Sequence, residues 1–415
     1  MFKSSADVIV IGGGPAGATA AALLAEYGHE VAVLEKSKFP RYHVGESLMP
    51  FCYHTLDRLG LVEEMDKVGF TQKLSVQFVT QDGQQSRPFY FFQHYDHPSS
   101  TTWQVLRSQF DRLILDRARD NGARVYELTT AKSLIERNGN TEGVTAVSED
   151  GSCHEISAPM VIDASGRDAF VQTKRKWRKR DPSLGKIAIW TYYKGARRDP
   201  GLDAGSTTVA YIPDKGWFWY IPLDNDIVSL GVVAERDYLY RKSSNPEEIL
   251  TEEIKNNVWI ADHLKSGEQF GRYWTTGEYS YRSEYCASNG LVLAGDAFAF
   301  LDPVFSSGVF LALKSGEMAA DVVHKAIIDN DFTAERFSDY GSELCRGIES
   351  MRALVYAFYD QGFSFADLIK AHPEVRGDLT DCLIGNLSTD FKGLFSAVSN
   401  FAKLPSRLDY GKVLS

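Results

Sequence analysis

The tightest constraint on this chain lies in its first 35 residues. Val8-Ile9-Val10-Ile11 is an uninterrupted apolar run, as in a parallel strand covered on both faces. It passes directly into Gly12-Gly13-Gly14-Pro15 and an alanine-rich stretch from about Ala16 to Tyr27. Gly28 is placed to end that helix, and Glu30 to Leu34 reads as the next strand. Gly12-x-Gly14-x-x-Gly17 thus occupies the strand-to-helix turn of a βαβ unit, and Glu35 follows 18 residues after Gly17. Gly12 permits the tight turn, Gly14 lets the backbone approach a pyrophosphate, and Gly17 allows close helix–strand packing. The helix N-terminus turns N–H groups and its positive dipole end toward phosphates. Glu35 can accept hydrogen bonds from ribose hydroxyls, and its presence in place of an arginine favours adenosine without a 2′-phosphate. The fingerprint alone fits NAD and FAD equally.

At 415 residues the chain has room for two or three structural units and needs no disulfide or metal staple. Its net charge of −10 disfavours general nucleic-acid binding through the overall field. No stretch approaches 18 uninterrupted apolar residues, so no membrane span is expected. The N-terminal apolar run, broken by glycines and a proline, is unlike a secretory signal. Cys52, Cys153, Cys286, Cys345 and Cys382 form a scattered set without a CxxC pair. They read as thiols in a reducing compartment, and the expected location is cytoplasmic.

Beyond the first unit the pattern is discontinuous. Val105 to Asn121 reads as a strand end feeding a helix, and Met160 to Asp163 as a short buried strand. Several β-rich runs between Ile187 and Val233 suggest a largely antiparallel second sheet. Leu291 to Asp296 is again a buried strand, running into a loop and a small-residue helix near Ala312 to Val323. From Phe332 onward the pattern is helical, interrupted at Pro373 and Pro405. The expected fold is α/β: a Rossmann-like dinucleotide-binding domain from residues 1–75, 105–182 and 283–330. A mainly antiparallel substrate-side sheet comes from 76–104 and 183–282, and a helical C-terminal region from 331–415.

The distal motifs separate FAD from NAD. Gly295-Asp296-Ala297 after a buried strand, Asp163-Ala164-Ser165-Gly166, and Val105-Leu106-Arg107-x-x-Phe110-Asp111 resemble, in order, the flavin hydroxylases related to p-hydroxybenzoate hydroxylase. By that resemblance Asp296 binds the ribityl chain of FAD. Gly12, Gly14, Ala16, Gly17, Glu35, Lys36, Arg41, Ser47, Arg107, Asp163, Pro303 and Gly308 complete the cofactor site.

Three features shift the resemblance toward flavin-dependent halogenases. Trp217-Phe218-Trp219-Tyr220-Ile221-Pro222 fills every fixed position of the family's WxWxIP signature. On a strand, Trp217, Trp219 and Ile221 share one face. Two indoles there would keep an organic substrate away from the flavin. The block Phe300-Leu301-Asp302-Pro303-Val304-Phe305-Ser306-Ser307-Gly308 resembles the halogenase FxxP…SxG motif. It implies a catalytic role for Ser306 and a halide held by the backbone N–H groups of Ser307 and Gly308, since consecutive amides make an anion site without a cation. Lys73, after Gly45-Glu46-Ser47 and the stretch His54 to Leu61, matches the position of the family's essential lysine. The implied chemistry runs from FADH2 and O2 through a flavin hydroperoxide to hypohalous acid, formed from chloride or bromide. That acid passes the Trp217/Trp219 wall to Lys73. With one dinucleotide fold assigned to FAD and no second GxGxxG, a separate flavin reductase is implied.

Phe305 stands where tryptophan halogenases carry a glutamate, and the chain is much shorter than theirs. Both favour the branch acting on phenols and pyrroles, often tethered to an acyl or peptidyl carrier protein. Lys174-Arg175-Lys176-Trp177-Arg178-Lys179-Arg180 places six cations in seven residues. Lys174, Arg175, Lys176 and Arg178 are candidates to dock an acidic carrier, against the alternative of a solvated loop. Competing readings are an aromatic hydroxylase in which the WxW is core, a geranylgeranyl-reductase-like flavin reductase, and a noncatalytic FAD-binding module. His94-x-x-His97 lacks further ligands and reads as a polar loop. The aromatic run Tyr356 to Phe365 reads as packing against the sheet, with cover for a substrate tunnel as the alternative.

Overall fold

A computed structural model describes residues 3–277 and 280–415. Seven strands build the first sheet, in spatial order Lys412–Leu414, Tyr285–Ser288, Leu291–Leu293, Met160–Asp163, Val8–Ile11, Val31–Leu34 and Arg124–Tyr126. Val8–Ile11 lies inside it, next to the central strand Met160–Asp163 and parallel both to that strand and to Val31–Leu34 on its other side. Those three strands are buried throughout, as their continuous apolar runs require. The chain reverses direction across the sheet at this centre, which makes the carboxyl ends of the strands the binding crevice. Helix Pro15–Glu26 covers one face beside helices Arg107–Asp120 and Ser307–Asp329. Two glycines permit that closeness. A Cβ at Gly17 would overlap the Gly12 carbonyl oxygen, and one at Gly316 would overlap that of Ala16.

The second sheet also has seven strands, in order Glu268–Gly277, Lys186–Lys194, Ile227–Glu235, Trp217–Leu223, Thr207–Tyr211, Ser75–Val79 and Phe89–Tyr90. It is antiparallel except where Thr207–Tyr211 runs parallel to Ser75–Val79. Alternation sorts its two faces. Ile187, Ile189, Phe218, Tyr220, Leu230 and Val232 pack under Ile249, Leu250, Trp259 and Ile260 from helices Pro246–Ile254 and Val258–Leu264. Ala188, Trp190, Val209, Trp217, Trp219 and Ile221 face the other way, toward the first sheet.

The C-terminal region is helical, as the sequence pattern expects, and adds one strand. Helices Ser338–Tyr359, Phe365–Ala371, Arg376–Ile384 and Lys392–Val398 form it, but its last strand, Lys412–Leu414, pairs parallel with Tyr285–Ser288 and extends the first sheet. The pairing is between residues more than a hundred positions apart, a distance at which local pattern carries no signal. A three-stranded meander, Thr129–Arg137, Asn140–Ser148 and Cys153–Ser157, replaces a helical crossover in the first domain.

Candidate active site

One cavity of about 700 Å³ runs from the glycine turn to the inner face of the second sheet. At one end lie Gly12, Gly14, Ala16, Glu35, Lys36 and Arg41; at the other Trp190, Thr207, Trp217, Trp219 and Ile221. Asp296, Pro303, Ser306 and Gly308 stand between them.

The dinucleotide end is built as the glycines require. Gly12 has φ +103°, and a Cβ there would overlap the Ala164 carbonyl. A Cβ at Gly14 would meet only Arg41 Nη2, at 3.2 Å, so its backbone is open to the cavity. Glu35 Oε2 accepts from Gly13 N at 2.8 Å and Oε1 from Ser37 N at 2.7 Å. Each oxygen keeps a lone pair for a sugar hydroxyl. Asp296, whose carboxylate faces the cavity, is pushed up to about 6 by burial, against the lowering influence of Arg167 and Arg107. An open glycine turn at a helix N-terminus, an anchored acid and a second half-buried acid further along fit a long dinucleotide such as FAD.

Several expected ligands sit differently. Asp163 is fully buried and does not line the cavity; its oxygens accept from Ser165 N (3.0 Å) and Val171 N (2.8 Å), so it shapes the wall turn from behind. Gly17 is likewise a packing residue. Arg107 lines the cavity, but its guanidinium is spent on Asp111 (2.7 and 2.9 Å) and the Val44 carbonyl (2.7 Å). It holds the segment before Ser47 in place. Lys36 pairs with Asp168 at the exposed rim, and Arg41 lies 3.1 Å from Asp111.

The turn expected to hold halide begins with Asp302, which caps Val304 N (3.0 Å), and ends at Ser306 in the left-handed region, φ 58° and ψ 25°. A serine there costs roughly 1–2 kcal/mol. The long helix starts at Ser307, so its first-turn N–H groups have no intrahelical partner. Gly308 borders the cavity, whereas Ser307 is buried and off its wall, because the helix turns it inward. A Cβ at Gly308 would touch only Phe300, at 3.7 Å, which leaves the space before these amides open.

The tryptophan wall is wider than WxWxIP. Trp217 and Trp219 ring centres lie 6.2 Å apart, and Trp190, from the strand Lys186–Lys194, lies 6.2 Å from Trp219. Trp219 donates to Ser229 Oγ (3.1 Å) and Trp217 to the Tyr359 hydroxyl (3.0 Å). Opposite Trp219 in register stands Gly231, where a Cβ would fall inside the indole ring.

Lys73 is 4% exposed and lies outside the cavity lining. Its Nζ donates to Ser47 Oγ (2.8 Å) and the Leu48 carbonyl (3.0 Å). Ser47 Oγ is 2.8 Å from Thr207 Oγ1, and both residues line the cavity. Ser47 therefore stands between the cavity and the amine. Burial brings the Lys73 ammonium down to about 7.

The basic run is divided. Arg175 pairs with Glu136 and bonds Ser288, Arg178 lies 3.7 Å over the Tyr281 ring, and Lys179 pairs with Glu284 at 2.9 Å. Lys174 and Lys176 are exposed, and Lys174 borders the cavity mouth. A single continuous docking patch of all four cations is not formed, because two are bound to the protein itself. His94 and His97 bond Asp381 and Ser99, and no metal-binding group occurs among the described residues.

Sequence reasoning missed Glu46, Tyr192, Trp190, Tyr359 and Gly231. Glu46 stood beside Ser47 in a quoted motif; the others are joined to the site only through the folded sheet.

A two-sheet fold closing on such a cavity defines an FAD-dependent flavoprotein, and the family model described as FAD binding domain matches residues 5–318. A 1H-pyrrole-2-carbonyl-(peptidyl-carrier protein) brominase from Pseudoalteromonas luteoviolacea is 34% identical, covering 80% of each chain. A corresponding chlorinase from Pseudomonas fluorescens is 30% identical over 92% of this chain and 89% of its own. The solved structure of the flavin-dependent brominase Bmp2 superposes with a TM-score of 0.87 at 29% identity, covering 96% of this chain and 97% of that one. The chain belongs to the flavin-dependent halogenases. Its activity is halogenation driven by reduced FAD and O2, and the hydroxylase and prenyl-reductase readings give way to it. No helix among the described residues is long and apolar enough to cross a membrane.

Proposed function

We propose that this halogenase acts on a pyrrolyl or phenolic ring tethered to an acyl or peptidyl carrier protein, with Lys73 delivering the electrophilic halogen. The observation that carries the reading is Lys73 itself: an amine buried beside the cavity, bonded to Ser47 and Leu48 and paired with no carboxylate among the described residues. The relatives that act on carrier-bound pyrroles support the substrate class.

Gly12, Gly14, the amides of helix Pro15–Glu26, Glu35, Arg41 and Asp296 would hold FAD. When bound and reduced by a separate reductase, FAD supplies the electrons that, with O2, convert chloride or bromide into hypohalous acid. The first-turn amide at Gly308, which borders the cavity beside Pro303 and Ser306, would hold the halide. Trp217, Trp219 and Ile221 keep the aromatic substrate out of this chamber. Ser47 and Leu48 aim the Lys73 amine. Its ammonium form can donate to the oxygen of hypohalous acid and polarise the O–halogen bond, and its neutral form has a lone pair to accept halogen. The near-neutral position gives access to both.

Purified protein with FAD, a flavin reductase, NADH, halide and a pyrrolyl- or phenol-loaded carrier protein tests the reading by mass spectrometry. A halogen isotope pattern on the carrier-bound ring is expected. Equal turnover of the free aromatic acid would remove the carrier from the proposal.

A further inference from the structure

Glu46 has no role in the chemistry above, yet it is 3% exposed, lines the cavity and carries a carboxyl oxygen, Oε2, that makes no hydrogen bond among the described residues. Its other oxygen accepts from the Tyr192 hydroxyl at 2.5 Å. The Tyr192 hydroxyl lies 3.0 Å from that of Tyr42, a residue 41% exposed whose oxygen also accepts from Trp190 Nε1 at 2.6 Å. Tyr192 has one proton to give. When it is committed to the carboxylate, Tyr42 must donate to Tyr192 and Trp190 to Tyr42. The network then has a single direction, from Tyr42, exposed at the edge of the cavity, to Glu46 deeper in its wall.

We infer that Tyr42, Tyr192 and Glu46 form a proton relay that brings protons from solvent to the halide-oxidising chamber. The need for one follows from the stoichiometry: anionic FADH⁻, O2, halide and two protons give FAD, hypohalous acid and water. Those protons come from solvent, and the hydrogen-bonded chain offers them a path through the wall beside the open cavity mouth. In the proposed step the Oε2 proton goes to the oxygen that leaves as water. The carboxylate left behind is held by Tyr192 and recovers a proton on Oε1 by concerted transfer along the two hydroxyls, solvent reprotonating Tyr42, without a tyrosinate. Rotation of the carboxyl then exchanges the two oxygens. Burial raises Glu46 to about 7, so both forms are present at neutral pH. Tyr192 and Ser229 pull in the opposite direction, as does Arg107. The other titratable groups around it are Tyr42, raised to about 12, and His43, lowered to about 4, on its own segment. Asp111 lies behind Arg107, and Asp296 lines the same cavity.

The use made of the proton rests on the halogenase reading; the relay is tested without it. Calorimetric titration of oxidised FAD at pH 7, in two buffers of different ionisation enthalpy, measures protons taken up on binding. Filling the cavity strips water from Glu46 and favours its neutral form, so wild type takes up a fraction of a proton that Glu46→Gln does not. With reductase, bromide and a soluble 1,3-dione trap, Glu46→Gln and Tyr192→Phe form hypobromous acid about 10²-fold more slowly at pH 8. Tyr42→Phe, at the surface and safe for folding, slows it at pH 8 more than at pH 6. Equal proton uptake by Glu46→Gln and wild type, or a Tyr42→Phe pH profile parallel to wild type, overturns the relay. Uptake lost in Glu46→Gln with no halogenated trap from any protein, wild type included, leaves the relay standing and overturns its use in oxidising halide.

Discussion

Lys73 illustrates how burial brings a single amine toward neutrality at the expense of stability. Its amine is buried with two neutral acceptors, and desolvation outweighs what they return. The folded value falls from 10.5 to about 7, so between those limits the unfolded chain binds the extra proton. Stability therefore rises with pH from about 7 to 10.5, and the penalty is complete below 7. Glu46 and Asp302, both raised to about 7, act with the opposite slope: the folded state holds their protons, and stability falls as pH rises toward 7. Lys73→Met should bind FAD normally and lose halogenation by about 10²–10⁴-fold. It should also melt at a higher temperature than wild type at pH 6, with the difference shrinking by pH 10. Thermal melts at both pH values check the sign; a variant less stable at pH 6 would mean that the amine stabilises the fold.

At the scale of elements, the strand Trp217–Leu223 and the helix Ser338–Tyr359 were legible to very different degrees. The strand's two faces follow from alternation, so the shared orientation of Trp217, Trp219 and Ile221 needed only the sequence. The βαβ unit was equally readable, because its turn, helix and acid are local. Nothing local shows that Tyr359 accepts from Trp217, 142 positions away, while donating to Asp302 at 3.2 Å. That hydroxyl joins the tryptophan wall to Asp302, the first residue of the turn that ends at Ser306. Tyr359→Phe leaves the indole N–H and the buried carboxyl without it, at a cost of about 1–3 kcal/mol. Its expected signature is uncoupling: halogenated product per NADH consumed falls severalfold while flavin oxidation continues. Unchanged coupling would reduce Tyr359 to packing. Gly231 was invisible for a related reason, since its function is to leave room across the ladder for Trp219. Gly231→Ala should displace that indole and destabilise the protein by about 1–3 kcal/mol, seen as a lower Tm with a red-shifted tryptophan emission.

For the whole molecule, the motif-free C-terminal segment fastens the two sheets around the cavity. Arg352 on its long helix makes a buried pair with Asp181 at 2.8 Å, Tyr359 reaches the wall, and Lys412–Leu414 closes the edge of the first sheet. What remains for a macromolecular substrate is the surface at the cavity mouth, on a chain of net charge −10. An acidic carrier would be repelled by that overall field and must use local cations. Arg175 and Arg178 are poor probes of docking, since reversing them breaks contacts with Glu136, Ser288 and Tyr281 inside the protein. Lys174 and Lys176 are exposed and serve better. Exposed pairs contribute about 0–1 kcal/mol each, so the double variant Lys174→Glu, Lys176→Glu should raise KM for carrier-bound substrate by up to about thirtyfold. Wild-type KM should climb with salt as the screening length shortens to about 8 Å at physiological ionic strength, and the variant's should not. Lys174 also borders the cavity, so the affinity for FAD is measured beside KM; a rise in KM matched by an equal loss of FAD binding would assign Lys174 to the cofactor and place the carrier elsewhere.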